Sequence, residues 1–422
     1  MRYTLLPLLL TLAACGGNQP PSSPTQALEY PTSNKVDQVD DYHGTSVSDP
    51  YRWLEDDVRE SDSVAAWVDA QNKVTFDYLE GIDERTLIEQ RLTKLWDFEK
   101  FGVPKIKGGK YFFSRNDGLQ NQSAWYVQDS LDSEPRLVVD PNTWSDDGTV
   151  ALATLEISPN AQFAALSIQD GGSDWRTIRF LNIDTGEQLA DEVKWMKFSS
   201  IVWAKDSSGV YYSRYPEPKA GGEFQDLNKN QAVYFHPLGN TQEDDKLIHT
   251  NADYPERGYN AALTDDGRYL ILTVWIGTDD RYQIEYIDLV DNPESVQILI
   301  PGFTNDYTLV GNQGTNLYFR TDHEAPKGRV IAVDTQNPDA SNWVEIIPEN
   351  DSVLRSAELI GEHVLANYLK DARALVNVHN LDGGLVREVP LPGVGSVNGF
   401  QGTANNSETF FSYSSYNAPA TL

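Results

Sequence analysis

Hydrophobic positions along this chain follow two different periods. Between Tyr42 and Trp96 they recur every three or four residues. Val64, Trp67, Val68, Val74, Tyr78 and Leu79 fall close to one face, and Leu87, Ile88, Leu92, Leu95 and Trp96 form a second stripe. This spacing predicts two amphipathic helices, the first capped by Ser61, whose side-chain oxygen can accept from an unpaired N–H of the first turn. Two such helices cannot bury both stripes against each other, so they are expected to pack on another part of the molecule.

From about Phe101 onward the period becomes two. A turn rich in Gly, Asp or Asn leads into a short alternating strand of aromatic and β-branched residues, and a second strand follows. Such starts occur at Gly108–Phe113, Asn160–Ala165, Ser208–Tyr212, Asp266–Ile271, Gly314–Phe319, Gly361–Leu365 and Asn406–Phe411. Companion strands are expected at Ala124–Val127, Thr177–Phe180, Ala232–Phe235, Gln283–Ile287, Val330–Val333 and Leu375–Val378. No companion is expected for the last start. A repeat of roughly 50 residues with several strands in each is the mark of a β-propeller blade, and a β-sandwich would show shorter, less regular spacing. The expected fold is therefore mainly β, a seven-bladed β-propeller with its last blade incomplete, preceded by an α-helical N-terminal arm. An unfinished blade would leave unpaired strand edges where the ring should close, so the sequence reads as cut short at Leu422.

Charge narrows the partners. Among 422 residues, 33 Lys and Arg face 63 Asp and Glu, a net charge of −30. That field repels phosphate backbones, so no nucleic-acid partner is expected, and the charge reads first as a solubility feature. Cys15 is the sole cysteine, which leaves no disulfide, CxxC metal site or cysteine nucleophile. It ends a segment made of Met1-Arg2, an apolar run from Tyr3 to Leu12, and Ala13-Ala14-Cys15, followed by Gly16-Gly17 and a Pro/Ser-rich stretch to about Leu28. The segment resembles a bacterial lipoprotein signal peptide, and its apolar run is too short to span a bilayer. Residues 1–14 would then be the signal peptide, Cys15 the lipidation site, and 15–28 a flexible tether. The resemblance implies a cell-envelope lipoprotein held to the membrane by its lipid alone. Gly16 rather than Asp after the cysteine favours the outer membrane, with the protein facing the periplasm or the cell surface.

No catalytic constellation assembles from the residues themselves. Gly171-Gly172-Ser173-Asp174-Trp175 has Trp where a nucleophile elbow needs its last Gly, and Val394 precedes Gly395-Ser396 where the first is needed. His43, His236, His249, His323, His363 and His379 are scattered, with no HExxH, and read as packed or surface residues. Asp226-Leu227-Asn228-Lys229-Asn230 is like the start of a calcium loop, but Gln231 stands where that loop needs Gly. Asp146-Asp147-Gly148 and Asp265-Asp266-Gly267 read as hairpin turns. No metal and no cofactor is expected.

Several collinear motifs carry a resemblance. Asp40-Asp41-Tyr42-His43-Gly44, Asp49-Pro50-Tyr51-Arg52-Trp53-Leu54-Glu55-Asp56 and Trp67-Val68-Asp69-Ala70-Gln71-Asn72 come first. Gly118–Gln122, Tyr126–Leu131, Ser145–Leu152, Gly172–Trp175 and Gly395–Val397 follow in order. Together they resemble the prolyl oligopeptidase family of serine peptidases, in its prolyl-specific branch, from about Tyr30 to Leu422. The resemblance implies that residues 29–98 form an arm packing on an α/β-hydrolase domain, and that 99–422 form the propeller, cut within the seventh blade. The family's Ser, Asp and His belong to a region C-terminal to these residues, so no catalytic residue is assigned and the chain alone is expected to be inactive. Joined to the hydrolase, it would serve a serine-type endopeptidase cutting short proline-containing peptides after proline, with the propeller filtering access by size. Phe180 matches an aromatic of the distal substrate pocket, while Arg52 and Trp53 read as anchors of the N-terminal segment. The other reading is a non-catalytic, lipid-anchored propeller that binds peptides or protein partners.

Overall fold

The computed structural model describes residues 28–219, 222–224 and 226–422; Cys15 and the leader around it lie outside them. The chain divides into two compact units between Leu92 and Thr93, a few residues before the expected boundary at 98. No helix among the described residues is long and apolar enough to cross a membrane.

The first unit is built around ion pairs and two indoles. Val39–Tyr42 and Thr45–Ser48 form a hairpin whose turn places His43 and Gly44 at φ 57° and 86°, the left-handed pair of a tight two-residue turn. Arg52 pairs with Asp40 across the hairpin and with Asp49 at 2.8 Å. Trp53 Nε1 donates to the Asn34 carbonyl at 2.9 Å, and Trp67 Nε1 to Ser33 Oγ at 2.8 Å. Arg52 and Trp53 thus fasten the N-terminal segment. Helix α1 runs Asp62–Glu80 from an N-cap at Ser61, whose side chain meets Ser63 Oγ instead of a backbone N–H. Helix α2 runs Arg85–Trp96 and crosses the boundary between the units. Leu87, Ile88, Leu92, Leu95 and Trp96 are all exposed.

Strands fill the second unit. Six of the seven strand starts are found on the second strand of a sheet, for example Phe163–Asp170, Tyr269–Ile276 and His363–Lys370, and Ser208–Tyr212 falls on Gly209–Arg214, the fifth strand of a larger sheet. Five of the six expected companions are found on the third strand, and Ala232–Phe235 falls on the sixth strand of that larger sheet. The last start has a companion too, contrary to expectation: Ala418–Thr421 pairs with Phe411–Ser415. Period two decides how the sheets stack. In Tyr269–Ile276, Tyr269 and Ile271 join a core with Leu317, Phe319 and Ile331 of the following sheet. Leu270, Leu272 and Val274 point the other way, into a core with Val233 and Tyr259. Leu317 and Phe319 likewise face back while Tyr318 faces forward to Val364 and Tyr368. Tyr269–Ile276 and Asn316–Thr321 are therefore apolar on both faces, and each large side chain so buried contributes roughly 1.5–3 kcal/mol. The last sheet returns to the first through Tyr111, whose Oη donates to Glu408 at 2.5 Å and whose ring stands edge-on to Phe410. The unit is a propeller.

The blades are not seven separate sheets. Apart from the hairpin, the described residues form six, because Val150–Ile157 through Lys246–His249 make one sheet of seven strands. Its central strand, Gln188–Trp203, runs 16 residues without a break in strand structure. The part from Gln188 to Met196 pairs with Arg176–Asn182, and the part from Met196 to Trp203 pairs with Gly209–Arg214. Left-handed backbone at Trp195 and Phe198, φ 64° and 53°, and a register shift between Met196 and Ile201 bend it in the middle.

Candidate functional site

That bend presents Phe198 to a cavity of about 1040 Å³, a volume suited to a short peptide. Aromatic rings make its wall: Phe198, Tyr215, Trp275, Tyr282 and Tyr307. Phe198 and Trp275 meet edge to face with centroids 6.4 Å apart. Trp275 ends the strand Tyr269–Ile276, and Tyr307 begins Tyr307–Gln313, so three successive blocks contribute to the wall. Burial pushes the Tyr215 phenol up to about 12, and it raises Tyr282 and Tyr307 as well, so all three remain neutral donors near neutral pH. Glu256, Asp279 and Asp280 add carboxylates. Arg281, paired with Asp279, holds that carboxyl down at about 2.

Phe180 lies elsewhere. It has no exposed surface, stacking on His236 at 5.4 Å and meeting Trp203 edge-on at 5.9 Å inside a core cluster. Strand alternation turns it inward, which leaves it no face for a ligand. The aromatic that reaches the cavity is Phe198, which sequence reading passed over. Its signal was present: a large apolar residue between Lys197 and Ser199-Ser200, where a core strand would not expose one.

His236 is the most enclosed histidine. Its Nδ1 lies 2.6 Å from Asp245 Oδ1 and its Nε2 3.2 Å from Asp191 Oδ1, while Tyr212 Oη donates to Asp245 Oδ2 at 2.5 Å. Burial opposes a charge here, but the Asp245 and Asp191 carboxylates outweigh it and raise the imidazole above its ordinary value. With both ring nitrogens bound to carboxylates it is a structural clamp, not a general base. Among the described residues no histidine ring is hydrogen-bonded to a Ser or Thr hydroxyl, and no three His, Cys, Asp or Glu side chains are grouped to hold a metal.

A second, polar cavity of about 380 Å³ is lined by the first strands of several sheets and includes Lys107, Glu156, Lys205 and Asp265. Lys105 pairs with Glu156 at 3.4 Å, Lys205 Nζ donates to the Asp265 carbonyl, and the Ala404 N–H donates to Asp265 Oδ2 at 2.7 Å. Burial lowers the Lys107 ammonium. Burial and then Asp265 push nearby Glu358 up to about 7.

Sheets that share their faces with both neighbours and close through Tyr111 and Glu408 define the class: a β-propeller domain with an aromatic, peptide-sized cavity. Residues 30–422 match the family described as "Prolyl oligopeptidase, N-terminal beta-propeller domain". The prolyl endopeptidase of Elizabethkingia meningoseptica is 37% identical over 398 residues, covering 94% of this chain and 56% of that protein. Prolyl oligopeptidase A of Amanita bisporigera is 30% identical over 391 residues, covering 84% and 50%. Among solved structures, prolyl oligopeptidase B from Galerina marginata bound to a 25mer macrocyclization substrate superposes with a TM-score of 0.82 at 26% identity, covering 93% of this chain and 58% of that one. The chain belongs to the prolyl oligopeptidase family. It spans about half the length of the curated relatives it matches.

Proposed function

We propose that the chain is the propeller portion of a serine-type prolyl endopeptidase, receiving short proline-containing peptides for a hydrolase domain that supplies Ser, Asp and His. The observation that carries this reading is the 37% identity to a prolyl endopeptidase along 94% of the chain, joined to a cavity of peptide size. The exposed stripe of α2 is then the face that meets the hydrolase. The test is the reading frame beyond codon 422. It should encode a G-x-S-x-G within on the order of 250 residues, and the whole product should hydrolyse a proline chromogenic peptide in a reaction stopped by a serine reagent. The 422-residue chain by itself should show no such turnover. A product that carries the motif yet leaves the peptide intact would overturn the reading.

We count seven blades in this propeller, taking the seven-stranded sheet as two blades that share Gln188–Trp203. Two features support the count: the change of partner along that strand, and the seven recurrences of the strand start along the chain. The Ala13-Ala14-Cys15 sequence supports a lipid anchor on Cys15, and Gly16 rather than Asp after it supports an outer-membrane location. Cys15→Ser should release the protein from the membrane fraction and abolish labelling by a fatty-acid analogue; labelling that survives would refute the anchor.

A further inference from the structure

The aromatic cavity carries a charge pattern that its size alone does not explain. Among the described residues, three carboxylates line it, from Glu256, Asp279 and Asp280, and no Lys, Arg or His does. Asp279 is neutralised by Arg281, and Asp306 beside Tyr307 by Arg320. Glu256 and Asp280 take part in no ion pair among the described residues. The wall around them includes Trp275, Tyr282 and Phe198, aromatic rings of the kind whose faces attract cations. Phe198 already shows this habit, with Lys197 Nζ 5.3 Å from its ring centroid. A cation entering the cavity would meet aromatic faces for its methylene stem and two unpaired carboxylates for its head.

We propose that this cavity selects peptides carrying a lysine or arginine side chain, held between the aromatic wall and the Glu256 and Asp280 carboxylates. The inference rests on the reading of the chain as the peptide-receiving part of a prolyl endopeptidase. The net charge of −30 would draw such peptides inward from solution, but only the cavity can hold the cation at one position.

The test is calorimetric titration of the chain with an acetylated, amidated pentapeptide containing one proline and one lysine, and with its norleucine counterpart. The lysine peptide should bind at least about tenfold more tightly. Glu256→Gln combined with Asp280→Asn should cut that preference to about threefold or less and leave the norleucine peptide unaffected. Glu362→Gln, an exposed charge outside the cavity, should leave the preference intact. Trp275→Leu should weaken both peptides. Equal binding of the two peptides that is sensitive to Trp275→Leu would overturn the charge selection and spare the peptide reading. A preference that survives the double variant, or that falls as far with Glu362→Gln, would also overturn it. Binding of neither peptide would remove both the selection and the cavity's peptide role.

Discussion

Gly258 lies directly opposite Trp275 across two antiparallel strands, and the indole occupies the space where a side chain on Gly258 would stand. A Cβ there would overlap the ring atoms of Trp275, so the missing side chain seats the tryptophan that walls the cavity. Gly258→Ala should cost roughly 1–3 kcal/mol, the range for overpacking a filled site. It should also shift the indole emission as Trp275 moves. Unchanged emission and melting temperature would show that the ring does not depend on that gap.

The clamp on His236 predicts a pH dependence. Asp245 and Asp191 raise its pKa above the ordinary 6.5 against the opposing effect of burial. The folded state then binds more protons, so this contribution is fully present below 6.5 and is lost as pH rises through the elevated value. Melting curves should fall over that window in the parent chain and flatten in His236→Gln. Asp245→Ala, which leaves a buried imidazolium with one partner, should cost about 3–5 kcal/mol.

Glu358 predicts a second window. Its folded pKa of about 7 lies above the ordinary 4.5, so the folded protein favours the protonated carboxyl. Stability from this group is greatest below 4.5 and declines as pH rises through about 7. Glu358→Gln should therefore raise the melting temperature at pH 8, by about 2 °C or more, and change little at pH 5. An equal effect at both values would exclude titration of Glu358 as the cause.

Phe180→Ala should cost about 3–5 kcal/mol, as large aromatic truncations in cores do. It should leave the peptide affinity of the surviving folded protein unchanged, since the ring has no exposed surface. Phe198→Ala should do the reverse, weakening peptide binding at small cost to stability. Chemical denaturation and calorimetric titration on the two variants would separate the roles.

Tyr111→Phe removes the hydrogen bond to Glu408 at the meeting of first and last sheets. Amide exchange should quicken in Lys110–Asn116 and Phe411–Ser415 and stay slow in Tyr269–Ile276, which lies away from the closure. Uniform acceleration would show that closure is not held locally.

Strands buried on both faces were the legible ones. Tyr269–Ile276 is apolar almost throughout, and Gln283–Asp288 alternates polar Gln283 and Glu285 with apolar Ile284 and Tyr286, so apolar runs, alternation and turn signals locate them. First and fourth strands were not legible, because one side faces the polar centre or solvent. Lys105–Lys107 carries two lysines, and all four residues of Leu385–Glu388 are exposed. The site was hidden for a related reason. Phe198, Trp275 and Tyr307 belong to three separate repeats, and only the stacking of those repeats brings them to one cavity. Phe180 had the aromatic type expected of a pocket but the inward phase of its strand, and phase decides which way a side chain points.

The unbroken strand Gln188–Trp203 has an evolutionary consequence. Propellers gain and lose blades most simply when a cut between repeats leaves whole sheets on either side. Here a cut between the second and third repeats would divide a strand already paired in both directions, leaving two half-strands and two ladders short of partners. Insertion or excision at that junction is therefore penalised. Changes in repeat number should instead accumulate at joints such as the loop between Ile300 and Tyr307, where one sheet ends before the next begins.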